Sequence, residues 1–522
     1  MGLHTPAFAA LLPTPTNIAS GATVSLRCGN IYQGTLELNG KSNVTVKTVG
    51  NCGKAGISPG RAIVGWTRYA GSIYAAPISF TPQQVAINGN AVSAAHWPNQ
   101  PWATSTAGMP AGNLRGAILV VLANQSVIQS RTLTGNSVDT DKPFYIEGKL
   151  WMLDSPGEWA VQHGRLYLWA PDGQSPEGRT WAAPNSNGIN ADRSRGITID
   201  GVSIFSANDG ISANESSSLK VINTDINNSA RDGIWASGSR SLHVSRSRVS
   251  NARRNGINGW YWVTGALVSN SSITNTGMVG MPSASDAGIM FGDGHDNRID
   301  NVRVVSSAYH GISVLHNRFT FVLNSIIDKA CVRLSDCAAI YTSARDKQPL
   351  TLLIEGNTIT NTRGFEAIGI YLDDHANGVT VIRNTIANNT RGLVIHNGFN
   401  NVITNNMFAS SGVTHVGFSQ DVGRIRNNWV AGNTFKSTKG ELTYNLEAGT
   451  NLNNFATFDY NIYRSNNLNV FGHTWDGRSA GVAHSYHNWK KQMGQDVQSV
   501  TSDVVANAPP DGSRGKGSLT AP

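Results

Sequence analysis

Apolar and polar residues alternate along most of this chain with a period of two, in short runs that end at Gly, Asn or Asp. Runs of this kind are half-buried strands closed by tight turns. One strand of each group opens on Gly-Ile or a close variant. It appears at Gly210-Ile211, Gly233-Ile234, Gly256-Ile257, Gly288-Ile289 and Gly311-Ile312, and continues as Ala339-Ile340, Gly369-Ile370 and Gly392-Leu393. The commonest spacing is 23 residues, and the longer intervals carry insertions. A fixed period of this length marks a repeat architecture. One repeat is too short for a globule, but it suffices for a coil of three short strands and three turns stacked on its neighbours. The predicted fold is all-β, a right-handed parallel β-helix.

A second column supports the register. Asparagines recur at Asn223, Asn301, Asn324, Asn357, Asn384 and Asn406. Stacked once per coil, their amides can hydrogen-bond along the solenoid, which is a structural role. A leucine-rich repeat lacks support because the leucine frame is missing, and helical solenoids fail on the period of two.

The repeat divides the chain. Residues 1–62 hold irregular opening coils, with 21–50 as the clearest β-helical stretch. Over 63–190 the period is lost, Trp, Tyr and Pro accumulate, and strands near 84–88 and 165–169 predict an inserted β-barrel or sandwich. Regular coils begin near Ser194 and fill 191–455. Residues 456–522 form a C-terminal cap, with an amphipathic helix within 485–500 covering strand edges that would otherwise invite aggregation.

Composition agrees: charged residues make up 14% of the chain and glycines number 55. There is no run of about 18 apolar residues, so no helix is expected to span a membrane. The net charge is +8. Arg is scattered without a block of like charge, which argues against a nucleic-acid partner and leaves an acidic glycan open. Four cysteines allow three connectivities, and proximity favours Cys28–Cys52 and Cys331–Cys337; four free thiols are the alternative. Such bridges suit a secreted or periplasmic protein. The first residues lack a charged n-region and read as the start left after removal of a signal.

Three stretches stand out together: PQQVAINGNAVSAAHWPNQPW at 82–102, GEWAVQHGRLYLWAPDG at 157–173 and GIYLDDHANGVTVIRNTI at 369–386. They resemble bacterial β-helical carbohydrate-active enzymes, chiefly glycoside hydrolases that carry a β-barrel inserted before the main solenoid. Residues 487–505 resemble the closing segment of such proteins. The resemblance covers most of the chain and implies a polysaccharide or oligosaccharide substrate. The pectin hydrolases of similar shape carry NTD, DD, GHG and RIK motifs; only a DD is present here, so that mechanism is not carried over.

Aligning the Gly-Ile starts assigns strand faces. Phe291, Val314, Leu372 and Ile395 point inward. Trp235, Trp260, Tyr341, Tyr371, Asp373 and His396 fall on the outward face, followed at the turn by Tyr261, Asp293, His316 and Asp374. Aromatic faces stack on sugar rings, and carboxylates bond their hydroxyls. The three longest insertions, 275–286, 328–337 and 361–367, all precede this strand and would rise as walls of one groove. The expected catalytic acids are Asp373, Asp374, Asp346 and Asp293. Asp346 would lie about one coil, on the order of 5 Å, from Asp373 or Asp374, and Asp293 about three coils, roughly 14 Å, from Asp374. Trp235, Trp260, Tyr261, Tyr341, Tyr371, Arg345, His316, His396 and Glu366 are the expected substrate-binding groups. Neither a cofactor nor a catalytic metal is expected, though GDGHDN at 292–297 could form a structural calcium loop.

Three functions follow from this face. The first is hydrolysis of a glycan by paired carboxylates. The second is β-elimination on a uronate polymer, with Arg345 or Lys347 neutralising the carboxylate and His316 or Tyr341 as base. The third is a glycan-binding solenoid without catalysis. Sugar identity, linkage and oligomeric state lie outside what these patterns determine.

Overall fold

The computed structural model describes residues 10–99, 102–279, 286–438, 440–447, 452–465, 467–478 and 480–502. Within them, three sheets of 15, 14 and 13 strands run the length of a solenoid, and nearly all their strands pair in parallel with the next coil. The Gly-Ile strands form the 14-stranded sheet, here termed the site sheet. Its Ile column, from Ile211 through Ile234, Ile257, Ile289, Ile312, Ile340 and Ile370 to Leu393, is fully buried. Each such side chain contributes about 1.5–3 kcal/mol of burial.

The Gly column has a steric cause. A Cβ at Gly233 would lie 2.3 Å from Val249 Cγ1 and 2.5 Å from the carbonyl oxygen of Gly256. At that coil the approach is too close for a side chain, whereas the Ala339 coil admits a methyl.

The asparagines form two columns where the sequence suggested one. Asn223, Asn301 and Asn324 hold left-handed turn positions with φ near 50°. The buried ladder lies one residue further on, where Asn357, Asn384, Asn406, Asn433 and Asn461 each receive the backbone N–H of the preceding coil at 2.9 Å on their amide oxygens. Ser247, Ser271 and Ser325 occupy the same level earlier in the chain. Hydroxyl and amide satisfy the same turn N–H, so residue type alone did not separate the columns.

The chain leaves the solenoid after Ala55–Ser58 and returns at Ile189–Asn190 without breaking its stacking. Thr198–Asp200 pairs directly with Thr45–Val49, and Val202–Ala207 with Ala55–Ser58. The intervening residues fold into an eight-stranded and a four-stranded sheet with two small cores of their own. This insertion leans on the solenoid. The amides of Asn227 and Asn228 donate to the Gly89 carbonyl at 3.2 and 2.9 Å, and Gln125 O accepts from Ser335 N at 3.3 Å. The last contact grips the loop between the paired Cys331 and Cys337. Both expected disulfides form, Cys28–Cys52 and Cys331–Cys337.

Coils also continue past residue 455. Ala456–Asp459, Ile462–Ser465 and Gly472–Trp475 pair in register with the preceding coil. The repeat was hidden because the interior changes there from Ile and Val to Phe435, Tyr444, Phe458, Tyr463 and Phe471. The closing helix lies within the expected stretch, at Tyr486–Met493, with Ser485 Oγ accepting from Asn488 N at its start and Gly494 at φ 64° at its end. Its Trp489 is fully buried, stacks on Tyr444 at 5.2 Å and donates to Asp496 at 2.9 Å.

Candidate active site

The centre of the site is the end of strand Ala367–Asp373, where parallel register places Ser343, Asp373 and His396 in one outward column. Asp373 accepts from His396 Nδ1 at 2.7 Å and from the Tyr341 hydroxyl at 2.7 Å. Burial alone would raise its pKa, but these bonds outweigh burial and hold the carboxyl below its ordinary range. His396 moves the other way. Burial lowers it, Asp373, Asp421 and Asp374 raise it more, and it holds its proton above the usual imidazole value. Its Nε2 lies 3.2 Å from Asp421, and Asn397 donates to the same carboxylate at 2.7 Å. Arg345 Nε donates to Asp374 at 3.0 Å.

Asp336 is the carboxyl that sequence reasoning missed. It sits in the disulfide-closed loop, half-buried, in a left-handed conformation at φ 54°. Burial raises its pKa first, and the negative charges of Asp373, Glu366 and Asp374 raise it further. Its carbonyl accepts from the Tyr309 hydroxyl at 2.8 Å. The signal in the sequence was the loop itself, already recognised as a wall; an acid inside it had no strand register from which to be placed. Glu366, in the next wall, is engaged by Arg391 at 3.0 Å.

The two tyrosines expected as sugar platforms do something else. Tyr341 stacks on His310 at 4.2 Å and 14°, and meets Tyr371 edge-on at 5.5 Å. Together with Ala338, Ile368 and Val394 they make a small apolar cluster outside the solenoid core. Packed this way, they hold Asp373 from beneath and leave little open face for a sugar. His310 below them is fully enclosed, accepts from Ala338 N at 3.1 Å, and burial depresses its pKa to about 3, so it is neutral.

Other expected groups lie elsewhere. Asp346 does not join Asp373; it pairs with Arg318 and lines a cavity of about 570 Å³ with Asp293, His316 and Trp262. Its turn projects toward the earlier coils, which strand register could not reveal. His316 Nδ1 sits 3.0 Å from Asp293. Trp260 lies over Gly292 and packs edge-on against the exposed Tyr261 at 5.4 Å. Trp235 is five coils from Asp373, roughly 24 Å along the stack. Its ring face carries Arg231 at 3.4 Å, so it is no free platform there. In the turn at 292–297, Asp296 contacts the His295 ring at 2.6 Å and Asp293 contacts His316, so the two carboxylates face imidazoles.

Among the described residues, one group brings three metal-type donors within 4.8 Å of one another: Asp373, Asp374 and His396. Each is already engaged, Asp373 and His396 with each other and Asp374 with Arg345.

Comparison with known proteins followed the same lines. The family described as "Right handed beta helix region" matches residues 187–349, and that described as "Periplasmic copper-binding protein (NosD)" matches 287–477. No curated protein matches the sequence. Of solved structures, one described as a glycoside hydrolase is similar over 74% of this chain and 90% of its own, at 15% identity and a TM-score of 0.61. A complex of XylC with xylose aligns over 93% and 78%, at 11% identity and a TM-score of 0.37. A mannuronan C-5 epimerase A-module from Azotobacter vinelandii aligns over 62% and 85%, at 11% identity and a TM-score of 0.35. Such identities speak to architecture, and on that the register, the family match and the first of these structures agree: this chain is a right-handed parallel β-helix protein.

Proposed function

We propose that the protein is an exported carbohydrate-active enzyme, a glycoside hydrolase that cleaves a glycan lying along the site sheet. The observation that carries this reading is a pair of carboxyls pushed in opposite directions. His396 and Tyr341 hold the Asp373 carboxyl below its ordinary range, while burial and neighbouring negative charge push that of Asp336 above it. Acids whose environments push them apart in this way support an acid and base assignment of the kind a glycosidase uses. Asp336 donates its proton to the glycosidic oxygen as the bond breaks. Asp373, on the strand below, supports the positive charge that develops on the sugar, as nucleophile or as base toward water. Both disulfides and the similarity to a family described as periplasmic support export; among the described residues no helix is long and apolar enough to cross a membrane.

Elimination is less well supported. Tyr341 already donates its proton to Asp373, and burial holds its hydroxyl far above its ordinary pKa, which makes it a poor base. His316 is engaged by Asp293. Digestion of a panel of neutral and uronate polysaccharides tests the choice. New reducing ends without unsaturated uronate products support hydrolysis. Unsaturated products support elimination, and binding without any product leaves a glycan-binding solenoid.

The pH profile carries a further expected result. Asp336 must be protonated to act, so activity falls as pH rises through its elevated pKa, and Asp373 must be ionised, so activity falls at acid pH. Glu366→Gln removes one of the negative charges that raise Asp336 and frees the Arg391 cation. The alkaline limb of kcat/KM should therefore move to lower pH while the acid limb stays. A limb that does not move, or moves upward, removes Asp336 from the acid role.

A further inference from the structure

The turn column that contains Asp374 continues toward the N-terminal coils as Ala344, His316 and Asp293, one residue per coil, tied by backbone bonds from Ala344 to Asp374, from His316 to Ser343 and from Asp293 to Leu315. Along this continuation lies the cavity of about 570 Å³ lined by Trp262, Asp293, His295, His316, Arg318, Phe319 and Asp346, among others. It lies between one and four coils from Asp374, with its middle roughly 10–15 Å away.

Two large aromatic side chains of this cavity stand in solvent. Trp262 is 69% exposed and Phe319 52%, although large apolar side chains on a solenoid ordinarily turn inward. Trp262 sits in left-handed backbone at φ 61°, and Phe319, at φ 50°, occupies the turn position that Ser218, Ser241 and Asp296 hold in earlier coils. Trp262 is pinned there by its N–H to the Gly292 carbonyl at 3.1 Å. The lining carboxylates are already engaged: Asp293 and Asp296 contact the His316 and His295 rings, and Asp346 pairs with Arg318. A carboxylated sugar would have to displace one of these carboxylates from its partner. An uncharged ring meets aromatic faces for its C–H surface, and carboxylate oxygens and a guanidinium for its hydroxyls.

We infer that this cavity is a distal subsite of the same groove, binding a neutral pyranose unit of the glycan about two sugar units from the bond cleaved. The inference rests on the hydrolase reading for the position of the cleaved bond. Its test reads binding alone, so the two can fail separately. Trp262 stacks on the sugar, and Arg318 with Asp346 and Asp293 holds its hydroxyls.

The experiment uses the full chain carrying Asp373→Asn, so that bound glycan is not consumed. Intrinsic tryptophan fluorescence and calorimetry are followed against neutral oligosaccharides of gluco-, xylo-, manno- and galacto-configuration, from dimer to hexamer, with galacturonate oligomers of the same lengths. At least one neutral series should bind, with affinity climbing steeply between trimer and pentamer. Adding Trp262→Ala should weaken its hexamer by about tenfold or more, since it removes the aromatic face on which the sugar stacks. A control, Tyr460→Ala, removes an equally exposed aromatic far from the groove and should leave affinity as it was. The subsite is overturned if no neutral series binds, if galacturonates bind at least as well, if affinity is flat with length, or if Trp262→Ala changes nothing. Failure to hydrolyse any glycan by the unmodified protein, with this binding pattern intact, would instead overturn the hydrolase reading.

Discussion

Asp373→Asn should lower kcat/KM by about 100- to 10,000-fold while leaving the coil register intact, because the side chain keeps its volume and loses only its charge. Asp336→Asn should cost a comparable factor, but with a different signature. A substrate with an activated aryl leaving group needs little proton donation, so Asp336→Asn should recover much of its rate on that substrate. Asp373→Asn should recover none. Equal losses on both substrates for Asp336→Asn would show that its carboxyl is not the proton donor. Turnover within a few-fold of normal in Asp373→Asn would move the site elsewhere on the groove.

The same substitution has a readout in stability. Asp373 has a lowered pKa, so its contribution is present above the ordinary carboxylate range and is lost as pH falls through its folded value. His396 has a raised pKa, so its contribution is present below about 6.5 and is lost as pH rises through its folded value. The destabilisation in Asp373→Asn should therefore be greatest in mildly acidic solution and shrink on both sides. A difference independent of pH would show that the two groups do not form a charged pair in the fold.

Trp489→Ala should be the most destabilising single change outside the site. The indole is fully buried across the end of the solenoid, stacked on Tyr444 and donating to Asp496, itself bonded to Tyr463, Asn461 and Ser499. Truncating a buried Trp costs about 3–5 kcal/mol. In a solenoid that loss is felt first by the neighbouring coils. Hydrogen exchange should show the strands Leu442–Glu447 and Ile462–Ser465 losing protection before the site sheet does. Uniform loss of protection along the whole chain would mean that the solenoid unfolds as one unit and that its end is not a separate stopper.

Much of the fold could be read from the chain because a solenoid repeats one local rule. Gly-Ile every 23 residues is a coil whose Gly admits the next coil's backbone and whose Ile fills the interior. That rule identified the site sheet, the outward column and the stretch where the walls rise. It failed where a different residue met the same need. Ser in place of Asn concealed the true ladder, and Phe and Tyr in place of Ile and Val concealed the last coils.

The site divides along the same line. Asp373, His396 and Asp374 lie on or beside strands, so counting residues placed them together. Asp336, Glu366 and Asp346 lie on insertions and turns, where position depends on what the loop packs against. The sequence by itself determined the solenoid, its register, and the column in which Asp373 and His396 meet, because parallel pairing converts sequence spacing into spatial alignment. Only the tertiary structure decided that Asp336, in a disulfide-closed loop resting on the insertion, feels the charges of Asp373, Glu366 and Asp374. It alone decided that Asp346 turns away to Arg318 and that Tyr341 supports Asp373 in place of a sugar. The reason is physical: strand register is local and periodic, whereas the direction of a loop and the charge state of its acid depend on burial and on charges contributed by distant coils.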